Sequence, residues 1–256
     1  MNSTSFSFSR PFLACLLLSA LLLTACPALG QESDSLPHPL SLSGYGLYDF
    51  HYATGPIGGA ALMLDWQVGP TYALGVGVEY VGHNRISANV VGMARLAGSP
   101  QGERLCLENR YLWRHFPAMG KQEFTGALLL GGYLGHARLH LGLCNRYMAE
   151  LVQRSNGGMG TVFEPMNVMF AAEAWLHNPD CVGPRVRQWN VGVCWSNYND
   201  FVIERVANWF FSLKGLYRID SDWGVIAEVG IHPVGSLNLT ASYDGWFCHI
   251  GAKYRL

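Results

Sequence analysis

The final eleven residues, Trp246 to Leu256, alternate without a break between two chemical faces. Trp246, Cys248, Ile250, Ala252, Tyr254 and Leu256 fall on one side of an extended strand. Phe247, His249, Gly251, Lys253 and Arg255 fall on the other, because successive strand side chains point to opposite faces. The first face is apolar throughout, while the second is mostly polar or small and carries the charges. A strand of this kind separates an apolar medium from a polar interior, the arrangement of a closed β-barrel in lipid.

The same alternation recurs as hairpins. In Gly59 to Val81, Ala60, Leu62, Leu64, Trp66 and Val68 oppose Ala61, Met63, Asp65 and Gln67. Gly69-Pro70-Thr71 supplies a tight turn, after which Tyr72, Leu74, Val76, Val78 and Tyr80 resume the apolar face opposite Glu79. A second hairpin runs from Asn208 to His232 and turns at Asp220-Ser221-Asp222. Tyr72 and Tyr80, Trp209 and Tyr217, and Trp246 and Tyr254 are each eight residues apart on an apolar face. At about 3.3 Å per residue that is roughly 26 Å along a strand. A tilt of about 40° projects it to roughly 20 Å, close to the ~25 Å apolar band between aromatic girdles.

Further strand-like stretches lie at 41–52, 86–97, 104–115, 124–134, 137–147, 166–176 and 186–196, of which 166–176 is equally readable as helical. The expectation is an all-β, closed antiparallel transmembrane barrel with an even strand number between eight and twelve. Stretches 153–165, 177–185 and 233–245 read as connections.

Composition agrees with that class. Half of the 256 residues are apolar, only 14% are charged and 30 are Gly. Net charge is -1, which offers no electrostatic footprint for nucleic acid. Outside the N-terminus no apolar run approaches the roughly 20 residues of a spanning helix. Residues 1–30 read as a secretory signal peptide: a polar start ending in Arg10, an apolar stretch from Phe12 to Leu23, then small residues. Two cleavage patterns compete, one after Ala28-Leu29-Gly30 and one before Cys26. In the second, Leu23-Thr24-Ala25-Cys26 resembles a lipoprotein lipobox and Cys26 would carry a lipid. Residues 31–40 form a short lead and 41–256 the barrel. Cleavage after Gly30 leaves Cys106, Cys144, Cys181, Cys194 and Cys248, an odd count with at least one unpaired thiol. Cys181 and Cys194 flank a strand-like stretch where they would be able to pair.

Together, the alternation, aromatic spacing, signal peptide and terminal strand resemble small bacterial outer-membrane β-barrel proteins of the OmpW-like and OmpA-like class. Leu256 departs from the Phe or Trp that usually ends such chains. The resemblance implies the bacterial outer membrane as location, outer-membrane lipid as surroundings, and periplasmic chaperones and the barrel-assembly machinery as transient partners. A monomer is expected.

GxSxG, HExxH, P-loop and GxGxxG patterns are absent, and no cofactor or metal is predicted. In His136-Ala-Arg138-Leu-His140 an arginine stands between the two imidazoles, where it repels a cation. The residues expected to face the lumen are Asp49, Asp65, Glu79, Lys214, Arg218, Glu228, His232, His249, Lys253 and Arg255. In a barrel of about eight strands they would fill the interior; in one of twelve they would border a narrow polar path. The functions compatible with this set are a narrow channel, a conduit for hydrophobic compounds or a structural surface protein. An outer-membrane barrel hydrolase acting on lipid or peptide, with His51, His232 and His249 together with Ser212 or Asp49 supplying residue types, and a periplasmic β-sandwich binding protein tethered through Cys26 are the alternatives.

Overall fold

The computed structural model describes residues 40–51, 55–82, 85–99, 102–153, 159–180, 188–204, 206, 208–232 and 245–256. The signal-peptide and Cys26 expectations, and the Cys181 partner proposed for Cys194, lie outside these residues. Cys194 itself is a buried free thiol.

Twelve strands, each hydrogen-bonded antiparallel to its sequence neighbours, close into one barrel. They are β1 Leu40–His51, β2 Gly55–Gln67, β3 Tyr72–Val81, β4 Arg85–Gly98, β5 Arg104–Phe116 and β6 Lys121–Leu134. They continue with β7 Ala137–Gln153, β8 Met159–Trp175, β9 Trp189–Ser196, β10 Phe210–Arg218, β11 Trp223–His232 and β12 Gly245–Arg255. Closure is made by β1 against β12, from Ser41↔Arg255 to His51↔Gly245. The alternating terminal segment is therefore the strand that removes the last open edge.

Local chemistry fixes the turns. Val68 N–H donates to Tyr72 O at 2.9 Å across Gly69-Pro70-Thr71. Asp220 Oδ1 accepts from the N–H groups of Asp222 and Trp223 at 2.8 and 2.7 Å. Between β5 and β6 a single 3-10 turn, Pro117–Met119, ends on Gly120 at φ 60°, the left-handed region that glycine enters at least cost.

Two segments differ from their sequence reading. Residues 166–176 are strand over their length to Trp175, and 159–165 belong to β8 rather than to a connection, so β7 and β8 each run 17 residues. The strand state wins because Met169 is buried inward while its neighbours take ladder bonds from β7, an option that a segment read alone does not reveal. The register slips between Cys144 and Arg146, and Met166 takes a φ of 53° with its N–H donating to Asn145 Oδ1 at 3.0 Å.

The outer surface is apolar around the barrel. Leu62, Val78, Leu141, Leu213 and Ile250 are each more than half exposed. A protein in water rarely leaves so continuous an apolar patch open. Trp66, Tyr217, Trp223 and Tyr254 stand near the end that carries Leu40 and Leu256, and Tyr48, Tyr80 and Trp246 toward the other.

Candidate functional site: a divided lumen

The lumen is crossed by a short hairpin that leaves the wall where β9 ends. Residues 197–204 turn inward, held by a bridge between Tyr198 and Ile203 and by Glu204 N–H donating to Asn197 O at 2.8 Å. Asn199 caps the tip, its Oδ1 accepting from the N–H groups of Phe201 and Val202 at 2.9 and 2.8 Å. Asn197 is fully buried and roots the hairpin. Its Nδ2 donates to Val168 O at 2.9 Å and to Glu204 O at 3.0 Å, and its Oδ1 accepts from Phe170 N–H at 2.8 Å. A side-chain amide thus takes the ladder positions that a continuing β9 would have filled.

The tip reaches the far wall. Phe201 packs with Ala61 and Met63 of β2, and Asn89 of β4 donates to Asp200 O at 2.6 Å. Arg110 of β5 pairs with the Asp200 carboxylate at 3.4 Å. Tyr198 shares a hydrogen bond with His140 Nδ1 at 2.8 Å, and Arg146 donates to Ile203 O.

On one side of the hairpin the lumen is filled. Leu112, Ala127, Leu129, Cys144 and Met169 form an apolar patch on β5–β8, covered by Tyr198 and Ile203. Sequence reasoning expected polar residues inside and missed this patch. Above it, Glu123 binds Arg114 at 2.6 Å and Arg146 at 3.3 Å, and Arg114 stands 4.0 Å from Glu204 of the hairpin. Buried charges persist only when paired in this way.

On the other side a cavity of about 450 Å³ remains, bounded by β1–β3, β10–β12, the hairpin tip and Pro179-Asp180, with Arg138 of β7 and Trp175 of β8 also on its wall. Of the residues expected in the lumen, Glu79, Lys214, Glu228, His249, Lys253 and Arg255 line it. His249 Nε2 lies 3.3 Å from Asp49, and its Nδ1 lies 4.0 Å from Glu228. Lys253 reaches Asp65 at 3.6 Å, and Lys214 reaches Glu173 at 2.5 Å. Glu79 is held by Arg85 at 2.9 Å and by Ser87. Arg218 donates to Pro179 O at 3.2 Å. His232 stands apart from the cavity, ringed by Phe210 and Phe247 at 5.6 and 5.5 Å.

Of the aromatic candidates, Trp246 packs on Tyr48 at 5.2 Å, Tyr254 on Trp223 at 4.6 Å, and Trp209 on Phe211 at 4.9 Å. Tyr80 and Tyr217 are each half exposed, and Tyr72 is half-buried at the start of β3.

Ser212 donates to Glu228 at 2.6 Å rather than to His249. Among the described residues no group of three His, Cys, Asp or Glu is arranged to hold a metal ion. The hairpin residues Asn197, Asp200 and Phe201 were missed because Ser196-Asn-Tyr-Asn-Asp200 reads as an ordinary turn. The repeated Asn and Asp favour a turn but carry no sign of its inward direction.

The barrel has counterparts among solved structures. It shares the fold of a porin. The KdgM porin superimposes with a TM-score of 0.50 at 11% identity, over 84% of this chain and 99% of that one. The NanC porin (TM-score 0.47, 13% identity, 84% and 100% covered) and the Acinetobacter baumannii outer membrane protein Omp33 (0.45, 11%, 86% and 98%) are also similar. No protein-family model matches the chain, and no curated protein sequence does.

Proposed function

We propose that the chain is a bacterial outer-membrane β-barrel that works as a monomer and conducts small polar solutes along one side of a divided lumen. The observation that carries this reading is the 450 Å³ cavity beside the hairpin, bordered by Lys214, Glu228, His249, Lys253 and Arg255. Such a volume holds on the order of fifteen waters at ~30 Å³ each. The apolar outer face supports insertion into lipid, and Tyr72, Tyr217 and Tyr254 against Tyr80, Trp209 and Trp246 serve as the two aromatic girdles. Among the roles of OmpW-like and OmpA-like small barrels, conduction is favoured over a purely structural one, because a structural barrel gains nothing from leaving half its lumen unfilled.

The test is reconstitution. Purified protein is refolded into detergent, checked for a boiling-dependent shift on SDS gels, and added to planar bilayers in KCl. Small, discrete current steps are expected. A heat-modifiable barrel that inserts without ever conducting contradicts the proposal.

A further inference from the structure

The wall of the barrel is uneven, and its thin place lies over the apolar half of the lumen. β8 meets β9 over five residue pairs only, Ala171↔Ser196 to Trp175↔Gly192. β9 has 8 residues, fewer than the roughly 9–11 of a spanning strand, whereas β8 has 17. Beyond Ala171 no described strand pairs with the β9 side of β8, and the seam is closed there by the Asn197 side chain instead.

Along this stretch β8 is not shaped to receive another strand. Pro165 has no N–H to donate, and the bulge with Met166 at φ 53° twists the edge out of line. Both are devices that blunt edge pairing.

What stands on the two sides of the seam is alike. Outside, Phe170, Trp195, Trp209 and Phe211 form a continuous ring cluster, with centroids 4.7 Å apart for Phe170–Trp195 and 6.2 Å for Trp195–Trp209. Inside are Leu129, Cys144 and Met169, each at most 1% exposed under Tyr198 and Ile203. This apolar patch runs over β5–β8 and reaches the seam at Met169 of β8. Its cover is a hairpin rooted at β8 by Asn197 and held further out by His140 on Tyr198, by Asn89 and Arg110 on Asp200, and by Arg146 on Ile203.

We propose that this seam is a lateral port, through which small uncharged apolar molecules pass between the lipid and the apolar patch when the hairpin swings off Met169 and Leu129. The inference rests on the barrel spanning a membrane, but not on axial conduction. Within the patch such a molecule replaces the contacts of Tyr198 and Ile203. Opening breaks the bonds of Asn197 together with those that His140, Asn89, Arg110 and Arg146 make to the hairpin, without disturbing the five-pair ladder below.

Cys144 is a native reporter, buried in the patch as a free thiol. A full-length variant with Cys144 as its single thiol is reconstituted into liposomes. It is exposed either to N-pyrenylmaleimide dissolved in the bilayer or to a sulfonated maleimide in the water, and a variant retaining only Cys248 on β12 checks delivery of the lipid-borne reagent. Labelling of Cys144 is expected to be faster from lipid than from water, and to slow when naphthalene is added to the bilayer. With Asn197→Ala, which removes the three hydrogen bonds of its side-chain amide, it should rise at least about tenfold.

Labelling as fast or faster from water, or lipid-borne labelling that Asn197→Ala leaves unchanged in a heat-modifiable barrel, overturns the port. Conductance on the same preparation separates the two proposals. A conducting barrel with Cys144 closed to the lipid-borne reagent rejects the lateral route alone, and a silent barrel with Cys144 labelled from lipid rejects the axial route alone.

Discussion

Phe201 ends its reach across the lumen against Gly77 of β3. A Cβ at position 77 would lie 2.9 Å from Phe201 Cζ, 2.5 Å from Asn89 Oδ1 and 3.1 Å from Met63 Cγ. The glycine is therefore a socket for a side chain from the opposite wall, and the hairpin is a strut rather than a loose loop. Gly77→Val should displace the tip and destabilise the barrel by roughly 1–3 kcal/mol, the usual cost of overpacking. Phe201→Ala should open the same space without strain. Both variants should raise single-channel conductance, as measured in planar bilayers against the parent protein.

Asn197 satisfies three backbone groups at once, on β8 and on the hairpin's return limb. Asn197→Ala leaves them without those partners, at about 1–3 kcal/mol for each that water does not reach. The temperature at which the folded band disappears on SDS gels should fall. Asn197→Asp, which retains an acceptor but loses the donor, should fall between the alanine variant and the parent.

Two ion pairs of different burial should behave differently. Glu123 lies between Arg114 and Arg146, and all three side chains are at most 7% exposed. Glu123→Gln takes the nearest carboxylate from two buried guanidinium groups, leaving Arg114 with Glu204 at 4.0 Å and Arg146 with Glu164 at 3.7 Å, and should cost up to roughly 3–5 kcal/mol, read as a lower urea midpoint for refolding into detergent. Lys253 and Asp65 are 33% and 44% exposed at 3.6 Å. Lys253→Ala should change the midpoint by no more than about 1 kcal/mol.

The same exposed position should govern selectivity. Lys253 and Arg255 both face the cavity from the last strand. Lys253→Glu combined with Arg255→Glu replaces two positive charges with two negative ones beside the proposed path. The reversal potential in a KCl gradient should move toward cation preference, and less so at high salt, where screening shortens to a few Å. An unmoved potential would place the path elsewhere.

Much of the wall was legible in the sequence because a half-lipid, half-lumen strand writes its environment at every second residue. Trp246 to Leu256 and Gly59 to Val81 carry that pattern in full, including the turn at Gly69-Pro70. Legibility failed where the inward face turned apolar. On β6 and β8, Ala127, Leu129 and Met169 face inward while Leu128, Leu130 and Val168 face out, so both faces look alike and the segment at 166–176 reads as easily as a helix. The hairpin failed for a different reason. Its place in the lumen depends on partners far away in sequence, Asn89, Arg110 and Gly77, and a local run of turn residues carries no trace of them. The ionisable residues around the cavity were readable one at a time. Their pairing, such as Asp49 with His249 across the closing seam of β1 and β12, is a product of barrel closure alone.

The claim that the hairpin divides the lumen and sets its conductance is tested most directly by removing it. Residues 198–203 are replaced with a short Gly-Ser link, with Asn197 and Glu204 retained, and single-channel currents are compared with those of the parent in the same KCl solution. The expected result is a heat-modifiable barrel whose unit conductance is several-fold larger. An intact barrel with unchanged unit conductance would contradict the account, because it would mean that ions never pass the place where the hairpin lies.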